Sequence, residues 1–510
     1  MSGTFSSPPD LHRERTASVT MDESSPLLSN ERREPQNYDD AETKNVVDFD
    51  PNGDLDNPYT WSATYKWSAV SLLALTAFTV TFTCISLVPV AGHVVQDLDG
   101  RPNKSASVLL VTIWELGEAA GPMFVAPLSE LFGRYPVMNA ANILFIAATV
   151  LAALSPSAHV LIAARFLTGL AVASNVLNPA IVGDMFISEE RGTAMSLIML
   201  APLLGGAIGP AMAGFIAESL GWRSVLWISA ALAVFCEVTF LLLFRETFKV
   251  RILNTRAAKL RQETGDSSFR TVYEIQNEAN PTSIWSQVMR PAVVLFGSGV
   301  LQVMSVFGSV VFTYFYVMST TLPDILETIY GLSPSATGAA FISFSAGSVV
   351  SVTLCNRTLD RIFIYLRDTR GKGVEHPEYR LPLVILGGFL LPVVVAMYGW
   401  TAQARLPLPV MLLSVALMGA ALMLGFLPLT AYVVDAFGMY SASAMTAIIV
   451  TRCLVGTFLP LLTEPLVEKI GYGLAFTTLA ALSLSLAPIP VFVMRYGQKW
   501  RQKSPYTRQE

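Results

Sequence analysis

Of the 510 residues, 52 % are hydrophobic and 14 % charged, where a soluble domain carries about a quarter of its residues charged. A water-soluble globular protein is excluded, and a net charge of −4 leaves no electrostatic footprint for nucleic acid. The four cysteines, Cys84, Cys236, Cys355 and Cys453, fall in or beside apolar runs without metal-ligand spacing, so they read as small packing residues and neither disulfides nor a metal centre are expected.

Residues 1–62 are rich in Ser, Pro, Asp and Glu, the composition of a disordered cytosolic tail. Up to Lys66 the chain holds thirteen Asp and Glu against six Lys and Arg. No basic and apolar leader precedes the first span, which is expected to serve as its own signal. Glu23 to Leu28 has the spacing of an acidic dileucine sorting signal, which would direct the chain to a vacuolar membrane. Tyr59, Trp61, Lys66 and Trp67 form the aromatic and basic cluster of a membrane surface.

Apolar runs long enough to cross about 30 Å of hydrocarbon then recur. They lie at about 67–90, 106–128, 137–154, 159–183, 194–217 and 224–245, and again at about 291–318, 334–355, 381–400, 408–434, 443–465 and 471–494. The chain therefore reads as an all-α polytopic membrane protein with twelve transmembrane helices in two pseudo-symmetric six-helix bundles, residues 63–245 and 291–495. Between them, 246–290 is a cytosolic linker whose Arg251, Arg256, Lys259 and Arg261 suit a charged amphipathic helix, and 496–510 is a cytosolic tail. With both termini in the cytosol, the inner segments hold 27 of the 34 Lys and Arg, the outer loops five, and Arg165 and Arg452 lie in spans. Asn103-Lys104-Ser105 then falls outside as an N-glycosylation acceptor close to the membrane.

The second span carries Glu115 and Glu118 on one helical face, and carboxyl groups at that depth mark a pathway or coupling site. It ends in Pro127-Leu-Ser-Glu130-Leu-Phe-Gly133-Arg134. The eighth ends in Asp360-Arg361, a partial echo that supports an internal repeat of two halves. Each echo places an acid just past the cytosolic end of its helix.

These stretches resemble a known family over nearly the whole chain after the tail. Gly121-Pro122 with Pro127 to Pro136, Arg165-Phe-Leu-Thr-Gly169, and Ala201-Pro202-Leu-Leu-Gly205-Gly206-Ala-Ile-Gly209-Pro210-Ala-Met-Ala-Gly214 are similar to three motifs of the major facilitator superfamily, in its fungal twelve-span drug:proton antiporter group. Asp54 to Trp61, Arg191 to Met195, Glu246-Thr247, Pro377 to Leu381 and Tyr432 to Asp435 also resemble the fungal subgroup. The resemblance implies the major facilitator fold, a link of Arg165 to proton transfer, and an antiporter motif in the fifth span.

No Gly-x4-Gly-Lys-Ser/Thr loop is present, so coupling falls to an ion gradient, with no cofactor. The expected proton and substrate pathway comprises Glu115, Glu118, Arg165, Glu237, Asn175, Asn178, Asp435 and Arg452, with the acids pairing with Arg165 as the structural alternative. Phe312, Tyr314, Phe315 and Tyr316 read as packing, with substrate contact as the alternative. Glu130, Gly133, Arg134, Asp184, Arg191, Asp360 and Arg361 are expected to form a cytosolic latch. Gly205, Gly209 and Ala213 recur every four residues and permit close helix contact, which is expected to seal the outer side. Together these give a monomeric plasma-membrane exporter of a small amphipathic compound, a drug, toxin or secondary metabolite, driven by protons. An organic acid or polyamine carrier of the plasma membrane or vacuole is the second reading. A transport-inactive sensor or a membrane enzyme is the third, although His12, His93, His159 and His376 are too scattered for a membrane-face cluster.

Overall fold

The structure is a computed structural model that describes residues 46–50, 54–279, 283–371 and 374–507; the dileucine pattern lies outside them. The described chain is helical throughout. In order, the N-terminal bundle comprises α1 (Ala63–Ile85), α2 (Ala91–Asp99), α3 (Lys104–Phe132), α4 (Arg134–Ala153), α5 (Ala158–Leu170), α6 (Ser174–Met185), α7 (Ser188–Leu220) and α8 (Trp222–Leu243). The linker forms α9 (Lys249–Thr264), α10 (Val272–Ala279) and α11 (Ile284–Gly297). The C-terminal bundle follows as α12 (Gly299–Thr328), α13 (Pro334–Thr369), α14 (Leu381–Gln403), α15 (Leu408–Phe437), α16 (Ser441–Leu486) and α17 (Pro488–Arg501).

Ten helical stretches among the described residues are long and apolar enough to cross a bilayer. The last, Leu408–Arg501, runs 94 residues and contains three passes rather than one. It turns at Gly438, with φ 46°, and at Gly471, which sits inside α16 at φ 76° and ψ 168°. The passes are therefore the expected twelve. Gly221, between the fifth and sixth, has φ 82° and ψ 156°, nearly the same conformation as Gly471 at the matching place in the second half. Both glycines stand in a Glu-x-apolar-Gly-aromatic sequence, Glu218 to Trp222 and Glu468 to Tyr472, a repeat plainer than the Asp360-Arg361 echo.

Two boundaries differ from the sequence expectation. The seventh span is α12, because Ser298 leaves helical geometry at φ −133° and caps the next helix, so α11 is separate from it. At the other end, the segment from Asp54 to Ser62 is folded rather than part of a disordered tail. Asn57 caps a short turn, Trp61 Nε1 donates to the Leu55 carbonyl at 3.0 Å, and Lys66 donates to the Tyr59 carbonyl at 2.7 Å.

Candidate functional site

The site forms where α3 of the first half faces α16 and α12 of the second. Gly117 on α3 and Gly169 on α5 bring backbones into contact, since a Cβ at Gly117 would sit 2.5 Å from the Leu170 nitrogen. This contact turns the opposite face of α3, with Glu115 and Glu118, toward the other half. Pro122 lacks the N–H that would bond the Glu118 carbonyl, which loosens the helix beside the acid. Glu115 and Glu118 are buried at 0 % and 2 % exposure.

Across the interface, Tyr316 of α12 donates to Glu115 at 2.5 Å. Arg452 of α16 donates to Glu118 at 3.2 Å, and Asn175 of α6 donates to the same oxygen at 2.6 Å. The Arg452 guanidinium lies 4.4 Å from the centre of the Phe312 ring, which shields it from solvent and adds a cation–π attraction. Among the described residues, the Oε2 atoms of Glu115 and Glu118 have no hydrogen-bond partner. Each acid offers an oxygen, and Cys453 its sulfur, with all three within 4.8 Å of one another. No metal set was expected here, and the adjoining guanidinium already supplies the one full positive charge that the acids meet.

Arg165 stands apart from both acids. It is 1 % exposed and donates to the backbone carbonyls of Thr83, Cys84 and Leu110. Thr83 and Cys84 close α1, where the carbonyls lack intrahelical partners, so the arginine caps a helix C-terminus. The alternative in which the acids pair with Arg165 is thus replaced by the Glu118–Arg452 pair. Asn178 donates to the Leu73 carbonyl at 3.2 Å and ties α6 to α1. Glu237 receives Asn142 at 2.7 Å between α8 and α4, inside the first half and away from this network. Tyr314 donates to the Leu479 carbonyl at 2.6 Å, a packing role within the second half.

Above the acids the halves are closed. Thr112 and Thr457 exchange hydroxyl-to-carbonyl bonds at 3.2 and 3.4 Å, and Lys104 meets Glu464 and Glu468 at 3.6 and 3.5 Å. On the far side of the interface, Glu218 accepts the Ser335 N–H at 3.2 Å. The two duplicated glutamates, Glu218 and Glu468, therefore each reach into the opposite half. Of the fifth-span glycines, Gly205, Gly206 and Gly209 pack on α1 within their own half, whereas Gly214 and Pro210 meet Pro334 and Gly338 of α13. The contact between the halves thus uses Pro210 and Gly214, each one residue beyond Gly209 and Ala213 of the expected stripe. Asn103 also lies on this side, where its carboxamide oxygen accepts the Ala106 N–H at 3.1 Å and caps α3.

At the helix ends that the sequence reading assigns to the cytosol, Arg134 bonds Asp184 at 3.2 Å and Ser129 at 2.6 Å, while Arg191 donates to the Gly183 carbonyl at 3.4 Å. Gly133, at φ 101°, lets the chain reverse so that Glu246 receives the Arg134 and Tyr135 N–H groups at 2.9 and 3.2 Å. Glu130 is exposed and outside this bonded set; Glu246, noticed only as part of a motif, takes its place. In the second half, Arg380 joins Asp435 at 2.6 Å and Asp360 at 2.7 Å. Asp435 is thus an ion-pair residue at the end of α15, away from Glu115, Glu118 and Arg452. Arg380 replaces the exposed Arg361 as the base of the repeat. Asp360 lies within α13, which continues to Thr369, rather than past a helix end.

Cys453, Thr112 and Thr457 escaped sequence reasoning as site residues, and Tyr316 reads there only as packing or a substrate contact. Their one signal was periodicity: Cys453, Thr457, Pro460, Glu464 and Glu468 recur at intervals of three or four and share a face of α16.

The model of the Major Facilitator Superfamily matches residues 72–460. The chain is 34 % identical over 458 residues to Efflux pump radE of Floropilus chiversii, covering 90 % of this chain and 85 % of that protein. It is 32 % identical over 461 residues to MFS transporter cpaT of Aspergillus oryzae, covering 90 % and 92 %. Among solved structures, a D-xylose-proton symporter superposes with a TM-score of 0.63 at 18 % identity, over 88 % of this chain and 99 % of that one. That likeness concerns the fold.

Proposed function

The chain belongs to the Major Facilitator Superfamily, and from that premise we propose that this multi-pass membrane transporter is a proton-coupled antiporter exporting a small amphipathic organic compound, a drug, toxin or secondary metabolite, by alternating access. One observation carries the reading. Two buried acids, Glu115 and Glu118, face one partly buried base, Arg452, so the set is neutral only when one acid holds a proton.

With the outer side closed, loss of that proton leaves a net negative charge in the apolar interface. Asn175, exposed at the head of α6, marks the open flank, since the other end of that helix carries Asp184 on the cytosolic side. A substrate whose donors or positive charge compensate the acids enters there, stacking on Phe312, Phe315 and Phe426. Opening the outer side requires parting Lys104 from Glu464 and Glu468, and Thr112 from Thr457. A proton arriving from outside then displaces the substrate and resets the pair. Arg165 holds the break after α1 in place and positions the site from behind. The cytosolic pairs Arg134–Asp184 and Arg380–Asp435 fix the helix ends of each half as rigid units.

The exporter role agrees with the relative named as an efflux pump. We place the protein in the plasma membrane as a monomer, with the proton gradient as its sole energy source. The test is substrate-dependent proton flux in proteoliposomes, screened over drugs, polyamines and organic acids. Substrate transport with no accompanying proton movement sinks the coupling.

A further inference from the structure

The linker helix α11 presents a stripe of large apolar residues to the outside: Trp285, Met289, Val293 and Phe296 are 65, 40, 52 and 77 % exposed. Their spacing of four, four and three puts them on one face. The opposite face is spent on protein, with Val288 and Val294 at 4 % and 0 %. Ser286, exposed, and Arg290 occupy a third, polar side, so the stripe is the apolar face of an amphipathic helix and requires a cover of its own.

The placement of α11 identifies that cover. It packs on α12, on α16 and on α3. Arg290 stacks 5.2 Å from the ring of Tyr440, just before α16. A helix that meets three neighbouring spans at their cytosolic ends runs across them, at the level where they leave the hydrocarbon. One residue, Ser298, separates it from α12, so it cannot stand clear of that level. We propose that α11 lies in the membrane plane with Trp285, Met289, Val293 and Phe296 seated among the phospholipids of the cytosolic leaflet, Trp285 at the headgroup depth favoured by indole. Because α3 belongs to one half and α16 to the other, the helix rests on both halves at once. Lipid held against it then bears on the motion that opens and closes the cytosolic side.

The experiment uses the full chain in vesicles of phosphatidylcholine with phosphatidylserine. Single cysteines at 285, 289, 293 and 296, and at Ser286 and Asp266 as controls, carry a nitroxide label; the four native cysteines are buried and escape mild labelling. At the four stripe positions oxygen collisions outnumber those with a water-soluble nickel chelate, and at 266 the order reverses. Nickel collisions at the stripe as frequent as at 266 overturn the proposal. Two further outcomes also overturn it. If deletion of residues 1–45 makes the stripe accessible to nickel, the tail is the cover. If labels at 293 broaden one another at high lipid-to-protein ratio, a second copy is. A labelled variant that fails to fold is replaced by its neighbour on the stripe, since any two positions fix the face.

Discussion

Glu118 on the second span and Arg452 on the eleventh meet at 3.2 Å across the two halves, deep between the bundles. Glu118→Gln keeps the shape and removes the titration. The expected outcome is loss of pH-driven uphill export while downhill substrate exchange continues. Transport with unchanged pH dependence would falsify the assignment of coupling to this acid.

Arg452→Gln leaves Glu118 and Glu115 buried without a counter-charge. Removing one partner of a buried pair costs about 3–5 kcal/mol. A fall in thermal stability of that order is expected, with partial recovery in the Glu118→Gln/Arg452→Gln double variant, where no charge is orphaned. Thermal unfolding of the purified protein in detergent reads both; equal losses in single and double variants count against the pairing.

Tyr316→Phe deletes the donor to Glu115 and leaves a carboxylate with no bond among the described residues. The cost is about 1–3 kcal/mol. The sharper readout is the pH profile of flux, which should move in Tyr316→Phe and stay put in Tyr314→Phe, whose hydroxyl donates to the Leu479 carbonyl within the second half.

Gly214→Val should work against the outer-closed state alone. Its backbone touches Pro334, and an overpacked contact costs about 1–3 kcal/mol. Labelling of a cysteine at Val108 from the outside should rise, whereas Gly192→Val, which meets open space, should leave it unchanged. No change in Gly214→Val would refute the seal.

The docked N-terminal segment has its own pH signature. The Arg256 guanidinium, bonded to Asp54 at 2.5 Å, holds that carboxyl below its ordinary value of 3.8. A lowered acid stabilises the folded segment fully above its ordinary value and loses that contribution as pH falls through the lower folded one. Amide exchange across residues 54–61 should therefore stay protected down to about pH 5 and rise only in stronger acid. Asp54→Asn should raise it at neutral pH.

Much of the architecture was legible because a bilayer imposes it: the length of apolar runs and the Lys and Arg bias depend on single residues and short windows. The α11–α12 break was not, since Ser298 interrupts a run that stays apolar on both sides. Glu115, Glu118 and Arg452 stood out as charges in oil, but their pairing depends on contacts between spans more than 300 residues apart. The motif linked Arg165 to proton transfer and the structural alternative paired it with the acids, yet it donates to carbonyls at the end of α1. Asp435 looked like an intramembrane acid only because α15 stays apolar to its last turn.

The reciprocal bonds of Thr112 and Thr457 act as an index mark between the two halves. Each hydroxyl finds the other's carbonyl, so sliding one helix by a turn, about 5.4 Å, would break both bonds and carry Lys104 past its two glutamates. Shear along the seam is penalised at two levels at once, while tilting apart parts the levels in succession. The geometry selects a hinge over a piston.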